Sequence, residues 1–238
     1  MKKYILFIDT ETSDKPREWK ASTGEVDKWP YLLQVSWAVY VNTGEFVVKR
    51  NFYINPGEII IHEDSLLLHG ISLEFLQENG MQRKEVLHQL SNDLNTYTPL
   101  IVGHFLKFDL KMLEVGFNRT DIRQDMNLFQ KFCTMMHTWH FLTGTSHRYL
   151  KLSELYHKLF NNDLENQHDA SVDVDATKDC FFELVKRGDI DDKVIEKQQK
   201  LFLPRKKLPR LKTILIVALL AILLVILLIF IQTNFSIL

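Results

Sequence analysis

Cysteine is nearly missing from this chain: its 238 residues include only Cys133 and Cys180. Two cysteines cannot build a disulfide framework, and they point to a reducing compartment. Glycine and proline are sparse too, at nine and six residues, and no repeat or low-complexity tract lies outside one apolar run. Residues 213–238 lack charge of either sign. The net charge of −1 hides five cations just before that segment (Arg205, Lys206, Lys207, Arg210 and Lys212), which leave −6 on residues 1–204. A mildly acidic body does not draw nucleic acid through its overall field, so any such function must rest on a local site. The N-terminus lacks a signal-peptide core, because its short apolar run meets an acid at Asp9 and has no cleavage-like site.

What is present is globular. With 25% charged and 46% hydrophobic residues, the chain can form one well-buried domain plus an appendage. The appendage is Thr213–Ile231, 19 residues polar only at Thr213. At about 1.5 Å per residue such a helix matches a bilayer core of roughly 30 Å. It is apolar on every face, unlike a surface helix. The expectation is a domain at 1–190, a terminal helix and basic juxtamembrane linker at 191–212, a transmembrane helix at 213–231 and a short tail at 232–238. Cations before the span and none after it keep the domain on the cytoplasmic side of the membrane, held by a C-terminal anchor. The same cations suit anionic headgroups.

Within the domain, Lys3–Asp9 reads as a strand apolar on both faces, hence central. Tyr31–Val41 and Glu45–Ile54 are β-rich runs joined by Asn42-Thr43-Gly44, a hairpin signal. Short helical pieces follow around His62–Gly80, then a helix near Arg83–Tyr97, a buried strand at Leu100–Gly103 and a helix from about Phe105 to Phe117. Phe132–Thr134 reads as a last strand, before helices near Lys151–Phe160, Asp169–Arg187 and Asp191–Leu201. A strand meander followed by alternating strands and helices predicts an α/β fold, a mixed sheet flanked by helices.

Several acids stand where apolar residues belong. Asp9 and Glu11 end a hydrophobic strand at i and i+2, so they leave the same face. Alone, the pair reads equally well as an acidic turn. Asp109 falls on the stripe of Phe105, Met112, Leu113 and Gly116, directly after a strand, where α/β sheets bind ligands. Asp173 shares a helix face with Ala176, Cys180 and Leu184, whereas Asp175 and Asp179 point to solvent. His168 precedes that helix; its N-terminus favours a neutral, basic imidazole, and a capping or surface histidine is the plainer alternative. Three segments thus bring carboxylates to one sheet rim, an oxygen-rich set suited to Mg²⁺ or Mn²⁺. Two such ions can serve both the attacking and the leaving oxygens of a phosphodiester.

At these residues the chain resembles the DEDDh exonucleases, the superfamily of the proofreading subunit of bacterial replicative polymerases. The motifs are Phe7-Ile8-Asp9-Thr10-Glu11-Thr12, Gly103-His104-Phe105-Leu106-Lys107-Phe108-Asp109, and His168 followed by Asp173. Pro30–Trp37 and His69-Gly70-Ile71-Ser72 resemble further family segments, and coverage runs from about residue 3 to 188. The family commonly carries Asn where this chain has Phe105.

The resemblance implies a ribonuclease H-like fold and a 3′–5′ exonuclease using two Mg²⁺ or Mn²⁺ ions. Asp9 would bridge both ions, Glu11 and Asp173 would complete the nucleophile-side ion, and Asp109 would support the other. His168 would be the general base toward the attacking water. The substrate implied is a single-stranded or frayed 3′ end, of DNA or alternatively of RNA. A non-catalytic membrane-bound scaffold on a nuclease fold is the reading of another class. Gln198-Gln199-Lys200-Leu201-Phe202 also resembles the pentapeptide that binds bacterial sliding clamps, although the frayed end of a terminal helix explains it more simply.

Overall fold

Strand β1 (Tyr4–Thr12) lies at the centre of the sheet because both of its faces are apolar. Leu6 and Ile8 are fully buried on one side, Ile5 and Phe7 on the other. The computed structural model describes residues 1–141, 148–203, 215 and 218–226. β1 pairs antiparallel with β2 (Leu32–Val41), which pairs antiparallel with β3 (Phe46–Asn55). The turn between β2 and β3 uses Gly44 at φ 95°, a conformation that favours glycine. On its other edge β1 pairs parallel with β5 (Leu100–Gly103), and β5 with β6 (Gln130–Cys133). A two-residue strand, β4 (Met81–Gln82), completes the order β4-β3-β2-β1-β5-β6.

Helices cover both faces. α3 (Arg83–Tyr97) and α4 (Leu106–Thr120) bury Leu87, Leu90, Met112 and Leu113 against the Leu6/Ile8 side. α7 (Ala170–Arg187) buries Val174, Phe181 and Leu184 against the Ile5/Phe7 side, with α6 (Leu152–Phe160) beside it. Two short helices, α1 (Glu63–His69) and α2 (Leu73–Asn79), lie between β3 and β4, and α5 (Thr134–His137) follows β6. The mixed sheet flanked by helices is the α/β architecture expected from the sequence.

The compact unit runs from Met1 to Phe202, so it takes in the last helix, α8 (Asp192–Phe202). Two glutamines explain why. Gln198 accepts from the Cys133 N–H at 2.5 Å and donates to the Cys133 carbonyl at 3.0 Å, and Gln199 accepts from the Lys131 N–H at 2.7 Å. These bonds satisfy the open edge of β6, which would otherwise invite pairing with another chain.

Leu203–Leu238 forms a second unit. Leu215 and residues 218–226 are helical and exposed; the rest of the expected span, its linker from residue 204 and its tail lie outside the described residues. Among the described residues no helix is long and apolar enough to cross a membrane.

Candidate active site

β1 and β5 run parallel, so their carboxyl ends meet at one rim of the sheet. Asp9 and Glu11 share the parity of Ile5 and Phe7 and therefore leave β1 toward α7, which supplies Asp173. Asp109 arrives from the first turn of α4 on the opposite face, where the Thr10 hydroxyl donates to its Oδ1 at 2.8 Å. Gly103 permits this close approach, since a Cβ there would stand 2.9 Å from Leu106 Cδ1 and 3.1 Å from the Ile8 carbonyl. His168 precedes α7 at φ 67°, and its N–H donates to Asp173 Oδ2 at 3.3 Å.

All five residues line one cleft of about 850 Å³. Ligand-capable atoms of Glu11, His168 and Asp173 lie within 4.8 Å of one another. Asp9 and Asp109 belong to the same cleft and the same field, since Asp109 raises the pKa of both Asp9 and Glu11.

Burial and mutual repulsion govern the electrostatics. Asp9 is pushed well above the usual carboxylate range, by desolvation first and then by Asp109, Asp173 and Glu11. Glu11 is pushed up to about 9 by burial, then by Asp173 and Asp109. Asp109 rises to about 7 through burial, against the lowering hydrogen bond from Thr10, and Asp173 to about 6 through burial. His168 is lowered by burial and by nearby Lys151, so its imidazole is neutral at physiological pH.

This set fits a hard divalent cation. It offers clustered carboxylate oxygens whose charges repel without a counter-ion, and the buried Asp173 Oδ1 has no hydrogen-bond partner among the described residues.

Supporting residues escaped the sequence reading. Gln34, fully buried in β2, donates to Asp169 Oδ1 at 3.0 Å and accepts from the Ala170 N–H at 3.2 Å. It therefore fixes the start of α7, between His168 and Asp173. Its sequence signals are one amide inside the apolar run LLQVSW and its place in the family-like segment Pro30–Trp37. His69 accepts from the Ile71 N–H at Nδ1, so its Nε2–H donates to the Thr12 carbonyl at 3.2 Å and steadies the end of β1.

Two expectations need correction. Phe105 is not on the core stripe of α4: it caps the helix at φ 66°, is 41% exposed and lines the cleft. The left-handed turn out of β5 takes it off the helical register. Gln198 is not an accessible peptide residue, because both of its amide atoms hold Cys133; binding a clamp through it would break both bonds. Asp175 and Asp179 do turn away from the cleft, pairing with Lys49 and Lys178.

No protein-family model and no curated protein matches the chain. Solved structures do. A structure of exonuclease I, said to suggest how processivity is achieved, superposes with a TM-score of 0.65 at 16% identity, covering 82% of this chain and 43% of that one. E. coli exonuclease I in complex with a dT13 oligonucleotide gives 0.63 at 17% identity, covering 78% and 41%. The zinc-bound complex of E. coli exonuclease I with single-stranded DNA gives 0.65 at 16%, covering 82% and 42%.

The chain shares the fold of the part of exonuclease I that it covers. This is a ribonuclease H-like nuclease fold, as the motifs implied, although these neighbours are exonuclease I and not the proofreading subunit. The chain spans less than half the length of the exonuclease I structures it matches.

Proposed function

We propose that this chain is a divalent-cation-dependent 3′–5′ exonuclease acting on single-stranded DNA, held at the cytoplasmic face of a membrane by residues 213–231. The observation that carries the reading is the convergence of Glu11, His168 and Asp173 within 4.8 Å, in one cleft with Asp9 and Asp109, on an exonuclease I fold. Neighbours bound to oligonucleotides support a single-stranded DNA substrate. The apolar run and the five cations before it support the tether.

Asp9, Glu11, Asp109 and Asp173 would hold Mg²⁺ or Mn²⁺. Such ions supply Lewis-acid stabilisation of charge on the attacking and leaving oxygens. Neutral His168 accepts a proton from water at its ring nitrogen as the water oxygen attacks phosphorus. The bond from phosphorus to the 3′ oxygen breaks, and that oxygen stays on the shortened strand and takes up a proton. The 5′-phosphate leaves with the nucleotide. Gln34, Thr10 and His69 keep the participating side chains in place.

The test is product analysis. The full chain is incubated with matched DNA and RNA oligonucleotides and Mg²⁺, and the released species are identified by mass. Nucleoside 5′-monophosphates from DNA support the reading, and release from RNA alone transfers it to RNA ends. Absence of mononucleotides with either polymer overturns it.

A further inference from the structure

On a body that carries −6 over residues 1–204, two half-buried arginines face one tyrosine ring. The guanidinium carbons of Arg83 and Arg119 stand 5.1 Å and 3.9 Å from the centroid of Tyr31. Stacking on an aromatic face suits a planar guanidinium, but it leaves the charge in place. Arg50, Arg148 and Arg187 each pair with a carboxylate; among the described residues Arg83 and Arg119 do not. Burial lowers the pKa of both, and Arg83 lowers Arg119 further, against Tyr31 and Asp27, which forms no ion pair with it.

The two arginines are used differently. Arg119 spends its terminal nitrogens on backbone, with Nη1 donating to the Pro30 carbonyl at 2.6 Å and Nη2 to the Val26 and Trp29 carbonyls at 2.6 Å and 2.7 Å. It clamps the loop before β2 and contributes charge. Among the described residues Arg83 has no hydrogen-bond acceptor, and its Nε is buried without a partner. Packing over Tyr31 explains the ring contact, but not an unpaired donor buried beside a like charge, which is costly until an acceptor meets it. Arg83 also opens α3, whose N-cap Gln82 makes no side-chain hydrogen bond, so the positive end of that helix adds its field at the same point.

None of these three residues lines the catalytic cleft. Tyr31 is nevertheless tied to the end of β1, its N–H donating to Ser13 Oγ at 3.0 Å and its carbonyl accepting from the Ser13 N–H at 2.9 Å. From this arrangement we infer that Arg83, beside Arg119 and Tyr31, binds a phosphate group outside the catalytic cleft. A guanidinium fork takes two oxygens side by side, and a second cation favours a group with more oxygens and more charge than a carboxylate offers. The phosphate comes either from the backbone of a strand whose 3′ end occupies the cleft or from free phosphate. The first source rests on the exonuclease reading, and the second does not.

The experiment compares the full-length wild type with Arg83→Gln, both in EDTA. One arm records melting temperature in sodium phosphate against sodium chloride of equal ionic strength; the other records anisotropy of a fluorescein-labelled oligothymidylate over a range of salt. Phosphate is expected to raise the melting temperature of wild type more than that of the variant. If a strand supplies the phosphate, the variant also binds the oligomer about tenfold more weakly or worse, the scale of a charged hydrogen bond, with a salt slope shallower by about 0.7. An oligomer affinity unchanged by the substitution, with the phosphate effect lost, assigns the site to free phosphate. Should Arg83→Gln melt lower in chloride, Arg83→Lys replaces it, keeping the charge without the fork, and the same losses are expected in smaller measure. A variant that matches wild type in both arms overturns the site. If wild type gains from phosphate but binds no oligomer, the exonuclease reading falls and the phosphate site stands.

Discussion

The Thr10 hydroxyl donates to Asp109 Oδ1 at 2.8 Å, tying the central strand to the first turn of α4 across 99 residues of sequence. This bond opposes the burial of Asp109, whose carboxyl still stands raised to about 7. Thr10→Val keeps the shape and removes the donor, leaving a buried carboxylate short of a partner. The expected cost is about 1–3 kcal/mol by urea denaturation, with Thr10→Ser restoring most of it. An unchanged midpoint in the valine variant would show that the bond does not matter.

The carboxylate cluster makes stability depend on pH and cation together. Asp9, Glu11, Asp109 and Asp173 all have raised values in the fold, to about 9 for Glu11 and about 6 for Asp173. Between the unfolded values near 4 and these raised ones, the native state binds more protons than the unfolded chain. Without divalent cation, stability is therefore greatest below about pH 4 as far as these groups decide it, and falls as pH rises toward 9. Thermal melts in EDTA should decline over that window, and Mg²⁺ or Mn²⁺ should raise the melting temperature more at pH 8.5 than at pH 6. Asp173→Asn should melt higher than wild type in EDTA and respond less to the cation. A cation shift independent of pH would contradict this assignment.

Gln34 offers a test of positioning. Gln34→Leu keeps the volume but removes the bonds to Asp169 and to the Ala170 N–H. We expect a loss of about 2 kcal/mol and a larger proportional drop in kcat than in oligonucleotide affinity. Parallel stopped-flow cleavage and binding measurements separate the two; a pure affinity loss would assign Gln34 to substrate contact.

His104 titrates with the opposite sign. Its Nδ1 faces the Thr134 hydroxyl at 3.0 Å and its Nε2 the Leu150 carbonyl at 3.1 Å, and burial lowers it from 6.5 to about 4. Because the fold resists its protonation, its contribution is fully present above pH 6.5 and is lost as pH falls toward 4, by about 3 kcal/mol at most. The acids of the cleft pull the other way, so the difference between wild type and His104→Gln isolates it. That difference should shrink as pH falls; a constant difference would refute the assignment.

The sequence made the sheet legible where local pattern and burial agree. β1 shows itself by apolar residues on both faces, and the bounds of α3 and β5 follow from periodicity and turns. β6 is less legible, expected at Phe132–Thr134 and found at Gln130–Cys133, because Lys131 looks like a surface residue. In the fold it is 4% exposed, with its ammonium donating to the Phe129 carbonyl. The acids of the cleft were legible because each breaks an apolar pattern. Their supports were not: Gln34 meets Asp169 across 135 residues and Gln198 meets Cys133 across 65, relationships that no local window contains. Phe105 misled for a related reason. Helical spacing assigned it to the core, but the left-handed turn that precedes α4 depends on how β5 meets the helix.

The most direct measurement of the central claim is a time course on 5′-labelled single-stranded DNA with the full chain, in Mg²⁺ or EDTA, beside Asp9→Ala and His168→Gln. A ladder that shortens from the 3′ end, absent in EDTA, abolished by Asp9→Ala and slowed about 100-fold or more by His168→Gln, is the predicted result. An intact strand under every condition, or equal cleavage by the folded variants, would contradict it.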